Sequence, residues 1–117
     1  NLARRIAQAY GLEADVTVID GEPVLINDSD LAQRFAAQVQ SLGATVARPM
    51  RSLGADDFSF FSEAVPSGMS FVGTGQPQAS LHSPGYLPPE RSVLDVAQAM
   101  IAGYLAGAES ILSSAFE

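Results

Sequence analysis

The single histidine of the chain, His82, has the side chain with the widest range of chemistry. It lies in Leu81-His82-Ser83-Pro84, after the apolar Phe71-Val72 and the run Gly73-Thr74-Gly75. Imidazole can act as a metal ligand or a general base, and open α/β sheets bind ligands beyond the carboxyl ends of their strands. Residue type alone favours an ordinary hydrogen-bonded histidine and leaves the functional role open. The glycines could admit an anion to backbone N–H groups, although their spacing differs from that of phosphate-binding loops.

Carboxylate and amide side chains form two further candidate groups, Asp56 with Asp57 and Asn27 with Asp28. Adjacent carboxylates point in different directions, so Asp56 and Asp57 cannot form an acid–base pair by themselves. Side chains of Asp and Asn accept hydrogen bonds from the first N–H groups of helices. We therefore expect both groups to cap helices, and we keep Asn27 as a candidate for contact with substrate.

Several elements must position these side chains. Four segments show helical spacing of apolar residues or helix-start signals: residues 2–10, 31–42, 58–64 and 90–112. Three segments rich in β-branched or apolar residues predict strands: residues 16–20, 45–48 and 69–72. This alternation favours an α/β fold with a partly parallel sheet. Residues 73–89 predict a long loop, and such loops often carry function.

Composition limits the classes of function. Six Lys and Arg against thirteen Asp and Glu give a net charge of −7, which opposes binding to nucleic acid and to anionic membranes. With no cysteine and one histidine, the chain cannot build a zinc site alone. Its 117 residues, 47% of them hydrophobic, predict one compact soluble domain, and the absence of a membrane-spanning run or secretion signal favours a cytoplasmic location. A helix that is under way at residue 1 without an initiator Met predicts a piece of a longer chain.

The order of the motifs is more specific than any one of them. They follow one another along the chain as Pro23-x-x-x-Asn27-Asp28, Gly54-Ala55-Asp56-Asp57-Phe58, Gly73-Thr74-Gly75 and Leu81-His82-Ser83-Pro84. This order resembles the C-terminal third of metal-dependent amidohydrolases and peptidases of the aminoacylase, carboxypeptidase G and hippurate hydrolase type. The resemblance implies that residues 23–117 are the C-terminal part of a zinc-peptidase-like catalytic domain, with helices on a mostly parallel sheet. Residues 1–22 would end an α+β lid or dimerisation domain.

The resemblance also implies site residues. His82 matches the last metal ligand of the family, and Asp57 matches its acidic motif, in which Asp56 replaces the usual Glu and Ala55 the usual Ser. Asp57, Asn27 and the run Gly73-Thr74-Gly75 are the candidates for contact with substrate or for support of the ligand. The other metal ligands and the general base would lie outside this chain, so no catalytic residue is assigned and the isolated fragment is expected to be inactive.

The resemblance further implies hydrolysis of the amide bond of N-acyl amino acids or related conjugates by a metal-activated water. Two divalent ions would bind per active site, zinc first and manganese or cobalt as alternatives. The partners would be this small-molecule substrate and a second copy of the chain in a homo-oligomer. The competing interpretation is a self-contained small α/β binding or interaction module, in which Gly73-Thr74-Gly75 holds an anion and His82 is incidental.

Overall fold

A computed structural model describes residues 2–75 and 80–115, so residues 76–79 of the predicted loop 73–89 lie outside the described part. The described residues contain four α-helices: α1 (Leu2–Ala9), α2 (Ser29–Ser41), α3 (Ser59–Ala64) and α4 (Arg91–Ser114). Each helix coincides with one of the four predicted segments, which confirms those predictions. None of the helices in this part of the chain combines the length and hydropathy of a membrane-spanning segment.

Helices α1 and α2 end at glycines with left-handed backbone. Gly11 has φ +69° and Gly43 has φ +80°, a region that side chains with a Cβ rarely adopt. At the end of α1 the Leu12 N–H returns to the Ala7 carbonyl at 3.0 Å. The apolar side chain of Leu2 on α1 remains 70% exposed, so no described residue covers the apolar face of this helix.

Helix α2 begins at a side-chain cap. The Asp28 carboxylate accepts a hydrogen bond of 2.9 Å from the Leu31 N–H, as predicted for this helix start. One turn in, Asp30 and Arg34 form an ion pair at 2.7 Å with i,i+4 spacing. The pKa of the Arg34 guanidinium lies above its ordinary value because this guanidinium donates a hydrogen bond to the Asp30 carboxylate.

Helices α2 and α4 form the one helix–helix packing in the described part of the chain. On α4 the residues Ala102 and Ala106 are fully buried, and a Cβ added at Gly103 would lie 3.9 Å from the ring of Phe35 on α2. Small residues on α4 thus let the two backbones approach closely. Further along, the Gln38 amide donates to the Glu109 carboxylate at 2.5 Å and links the two helices through side chains.

The prediction of an α/β fold with helices on a mostly parallel sheet is wrong for the described residues, which contain no strand. Residues 16–20, 45–48 and 69–72 lie in irregular segments that pair with no strand. β-branched residues favour extended backbone, but a strand also needs a neighbour that pairs with its N–H and C=O groups. On the first segment Ile19 is 87% exposed, which shows that nothing in the described chain covers it.

The prediction of one compact domain is also wrong. The radius of gyration is 20.6 Å, whereas a compact domain of this length would have about 13 Å. Among the described residues the only fully buried apolar ones are alanines of α4, and large apolar side chains on α1, α3 and α4 stay exposed. One helix pair cannot bury the apolar surface that the composition supplies.

Candidate functional site

The backbone around His82 forms two successive turns. The Ser83 N–H donates to the Ser80 carbonyl and the Tyr86 N–H donates to the Ser83 carbonyl, both at 3.0 Å. His82 is the third residue of the first turn and has φ +68°, and it is the one non-glycine residue with positive φ in the described chain. That turn position favours Gly or Asn, because a Cβ there costs about 1–2 kcal/mol. Strain of this kind is characteristic of functional positions.

The imidazole of His82 is exposed and makes no hydrogen bond to any described residue. Its nitrogens are therefore accessible to a ligand, and neutral imidazole is a ligand that divalent transition metals prefer. No group of three or more His, Cys, Asp or Glu residues in the described part could hold a metal ion. His82 thus fits a metal site in residue type and accessibility as one ligand, and further ligands would have to come from outside these residues.

A pair of hydroxyl groups joins the two arms of the segment that carries His82. Thr74 Oγ1 and Tyr86 Oη lie 3.1 Å apart in a half-buried hydrogen bond. Sequence reasoning assigned Thr74 to substrate contact or ligand support and did not single out Tyr86. The available signal was the position of Tyr86, four residues after His82 and in the same loop as Thr74.

Gly73-Thr74-Gly75 directly precedes residues 76–79, which lie outside the described part of the chain. Phosphate-binding loops place an anion at the N-terminus of a helix that follows directly, so the anion-binding role of these glycines stays a prediction. The Thr74 hydroxyl is already paired with Tyr86. Gly75, with φ +66°, needs to be glycine for a backbone reason.

Asn27 has a structural contact. Its side-chain Nδ2 donates to the Met69 carbonyl at 2.8 Å, and its Oδ1 accepts from the Met69 N–H at 2.9 Å. Next to it the Asp28 N–H donates to the Ser67 carbonyl at 2.8 Å. The Asn27 amide thus pairs with both backbone groups of Met69, as a neighbouring strand would. It fixes the start of the segment that leads to Thr74 beside the start of α2.

Replacement of Asn27 by alanine is expected to lower the free energy of unfolding by about 1 kcal/mol, because two exposed but non-local hydrogen bonds are lost. Urea denaturation of the chain would measure this change. Gln33 is the matched control, since its amide makes only one bond of 3.1 Å within α2, to the Ser29 carbonyl. Equal effects of Asn27→Ala and Gln33→Ala would contradict the role assigned to Asn27.

Asp56 and Asp57 accept hydrogen bonds from backbone N–H groups near α3. The Asp56 carboxylate accepts from the Phe58 N–H at 2.9 Å, so this side chain caps the turn that precedes α3, while the N-cap position of the helix itself is Phe58, which makes no side-chain cap hydrogen bond. The rings of Phe58 and Phe61 then stack at 5.8 Å. Within the described residues the Asp57 carboxylate makes no hydrogen bond or ion pair with His82 and shares no group of potential metal ligands with it. The structure therefore does not bring the predicted acidic residue and the predicted ligand together.

An apolar cavity of about 630 Å³ lies between α2, α4 and residues 68–74. Phe35, Phe71 and Met100 are among its lining residues, and Phe71 and Met100 remain mostly exposed. The hydroxyl of Ser92 in its wall is buried without a partner in the described chain. His82 does not line it. The cavity is thus an uncovered apolar surface, and it is separate from the His82 imidazole.

Comparison with known proteins identifies similarities over most of the chain. A family model described as peptidase family M20/M25/M40 matches residues 5–106. The chain is 30% identical over 89 residues to the uncharacterized hydrolase y4tI of Sinorhizobium fredii, covering 73% of this chain and 22% of that protein. It is 30% identical over 100 residues to the probable hydrolase sll0100 of Synechocystis, covering 80% and 25%.

A third relative has a different name. The chain is 27% identical over 99 residues to the putative glutamate–cysteine ligase 2-3 of Rhodococcus jostii, covering 80% of this chain and 12% of that protein. The chain therefore spans a quarter or less of the length of these curated relatives. No solved structure matches the chain significantly.

Proposed function

The chain belongs to peptidase family M20/M25/M40, and from this premise we propose that it forms part of a metal-dependent amidohydrolase. The observation that carries the proposal is His82, an accessible imidazole held in a strained turn within the segment matched to the family. Two relatives named as hydrolases support the reaction class. In this proposal His82 is one metal ligand, and the chain supplies no general base.

The proposed substrate is an N-acyl amino acid or a related conjugate, of the kind processed by aminoacylase, carboxypeptidase G and hippurate hydrolase. A divalent ion, zinc or alternatively manganese or cobalt, would polarise the amide carbonyl and activate water. Two ions would bind per active site. The chain's own contribution is to present the His82 imidazole at the surface, where ligands from elsewhere in a longer polypeptide can meet at the same ion.

The remaining parts of the proposal concern organisation. Residues 1–22 would end a lid or dimerisation unit and residues 23–117 would belong to the catalytic unit, in a homo-oligomer located in the cytoplasm. The exposed apolar residues of the first segment, Val18 at 80% and Ile19 at 87%, support an association that covers them.

Removal of metal tests the reaction. A full-length polypeptide that contains the chain is expected to hydrolyse N-acyl amino acids, to lose this activity on dialysis against a chelator, and to regain it when zinc is restored. Metal analysis of the active protein gives the stoichiometry. The 117-residue chain alone is expected to be inactive under the same assay. Hydrolysis that persists after metal has been removed to below one ion per ten chains would contradict the proposal.

A further inference from the structure

We infer that the hydrogen bond between the Thr74 and Tyr86 hydroxyl groups is a clasp that positions His82. The inference rests on the proposed function for the purpose of the clasp, but its geometry is independent of any metal. Thr74 precedes His82 by eight positions and Tyr86 follows it by four, so the bond of 3.1 Å closes the segment that carries the imidazole. Both residues are positioning residues, because neither makes a hydrogen bond to the imidazole.

The two turns around His82 couple the position of the histidine to that of Tyr86. The Tyr86 N–H closes the second turn onto the Ser83 carbonyl, and the Ser83 N–H closes the first turn onto Ser80. Residues 80–86 are therefore a hydrogen-bonded unit in which the location of Tyr86 constrains that of His82. The Tyr86 hydroxyl attaches this unit to Thr74, and no other side-chain hydrogen bond in the described chain does so.

The other arm of the clasp is itself held. Thr74 and Tyr86 are half-buried at the wall of the apolar cavity, where water competes less for their hydrogen bond than it does at exposed sites. Met69 lies five residues before Thr74, and the Asn27 amide hydrogen-bonds both of its backbone groups beside α2. The clasp thus connects the His82 turns, through residues 69–74, to the start of α2, which belongs to the one packed helix pair of the described chain.

The strain at His82 explains why a clasp is needed. A non-glycine residue with φ +68° returns to ordinary backbone angles unless its surroundings hold it. The turn bonds each span three positions, whereas the hydroxyl pair joins two residues that are twelve positions apart. Loss of a typical hydrogen bond shifts a local equilibrium by about five-fold or more. We therefore expect the left-handed state of His82 to be depleted by that factor when either hydroxyl is removed.

Nuclear magnetic resonance of the chain tests the clasp, because the sole histidine gives one set of imidazole signals. In Tyr86→Phe and in Thr74→Val, the imidazole shifts and the amide–α-proton coupling of His82 are expected to move toward random-coil values. Thr74→Ser retains a hydroxyl and is expected to restore the native signals. Tyr104→Phe is the matched control, since Tyr104 is 77% exposed on α4. The double variant should add little to either single change, because both remove one bond.

Zinc affinity of the full-length polypeptide separates this inference from the proposed function. Tyr86→Phe and Thr74→Val are expected to weaken zinc binding by about five-fold or more, with Thr74→Ser close to the unchanged protein. Native His82 signals in both Tyr86→Phe and Thr74→Val would overturn the clasp whatever the zinc result. Zinc affinity that His82→Asn does not alter would instead overturn the proposed function, and the signals of His82 would still decide whether the hydroxyl pair holds the turn.

Discussion

His82→Asn is expected to lower metal-dependent amide hydrolysis by the full-length polypeptide about a thousand-fold. A metal Lewis acid contributes several kcal/mol to stabilisation of the transition state, and each 1.36 kcal/mol corresponds to about a factor of ten in rate. Asn removes the imidazole yet tolerates the left-handed backbone that His82 adopts at φ +68°. The measurement is kcat/KM for an N-acyl amino acid at saturating zinc, together with the metal content of each protein.

His82→Gly serves as the companion variant, because glycine relieves the strain of positive φ while it also lacks a ligand. Both variants are expected to be equally inactive and at least as stable as the unchanged protein, which would separate loss of the ligand from damage to the turn. An active His82→Gly protein would contradict this prediction, because it would show that metal-dependent hydrolysis requires neither the imidazole nor the strained backbone of His82.

The helices were predictable because their signals are local. The carboxylate of Asp28 caps α2 within three residues of its own position, and Gly11 and Gly43 end their helices through their own backbone angles. Apolar spacing along α4 likewise depends on residues three and four positions apart. The packing partner of each helix is not encoded this way. The expected fold has helices on a mostly parallel sheet, whereas in the described chain α4 packs on α2.

The predicted strands failed for the complementary reason. The residue types at 16–20 and 69–72 favour extended backbone, but pairing depends on a neighbour that the local sequence does not specify. Met69 illustrates this point, since both of its backbone groups are paired by the Asn27 side chain, 42 positions away, where the α/β prediction expected a strand. A pattern of β-branched residues thus predicts extended backbone conformation more reliably than it predicts which neighbouring segment pairs with that backbone.

The site was predictable in part. Motif order selected His82, but the left-handed angle that marks it as strained depends on the turns from Ser80 to Tyr86 and has no signature in residue type. Asn27 stays a candidate for contact with substrate or for support of the ligand, while the pairing of its amide with the Met69 backbone has no signal in the local sequence. The Thr74–Tyr86 bond is non-local and joins two residues of ordinary type. Such side-chain pairs are invisible until the backbone brings them together.

Ala102→Asp is expected to lower the free energy of unfolding by about 3 kcal/mol or more. Ala102 is fully buried on α4, the helix that packs along α2, and an unpaired carboxylate there has no partner that could compensate its lost hydration. Because α2 and α4 are the one packed helix pair in the described chain, this loss is a large share of the available stability. Urea denaturation monitored by circular dichroism measures it.

Ala97→Asp is the matched control, since Ala97 is exposed on the same helix. Both variants carry the same penalty in helix propensity, of about half a kcal/mol, so the difference between them isolates the cost of burial. The Ala97 variant is expected to keep the urea midpoint close to that of the unchanged chain. If the two midpoints fell together, α2 and α4 would not be packed in solution, and the exposed apolar side chains of α4 would have to find another surface to cover them.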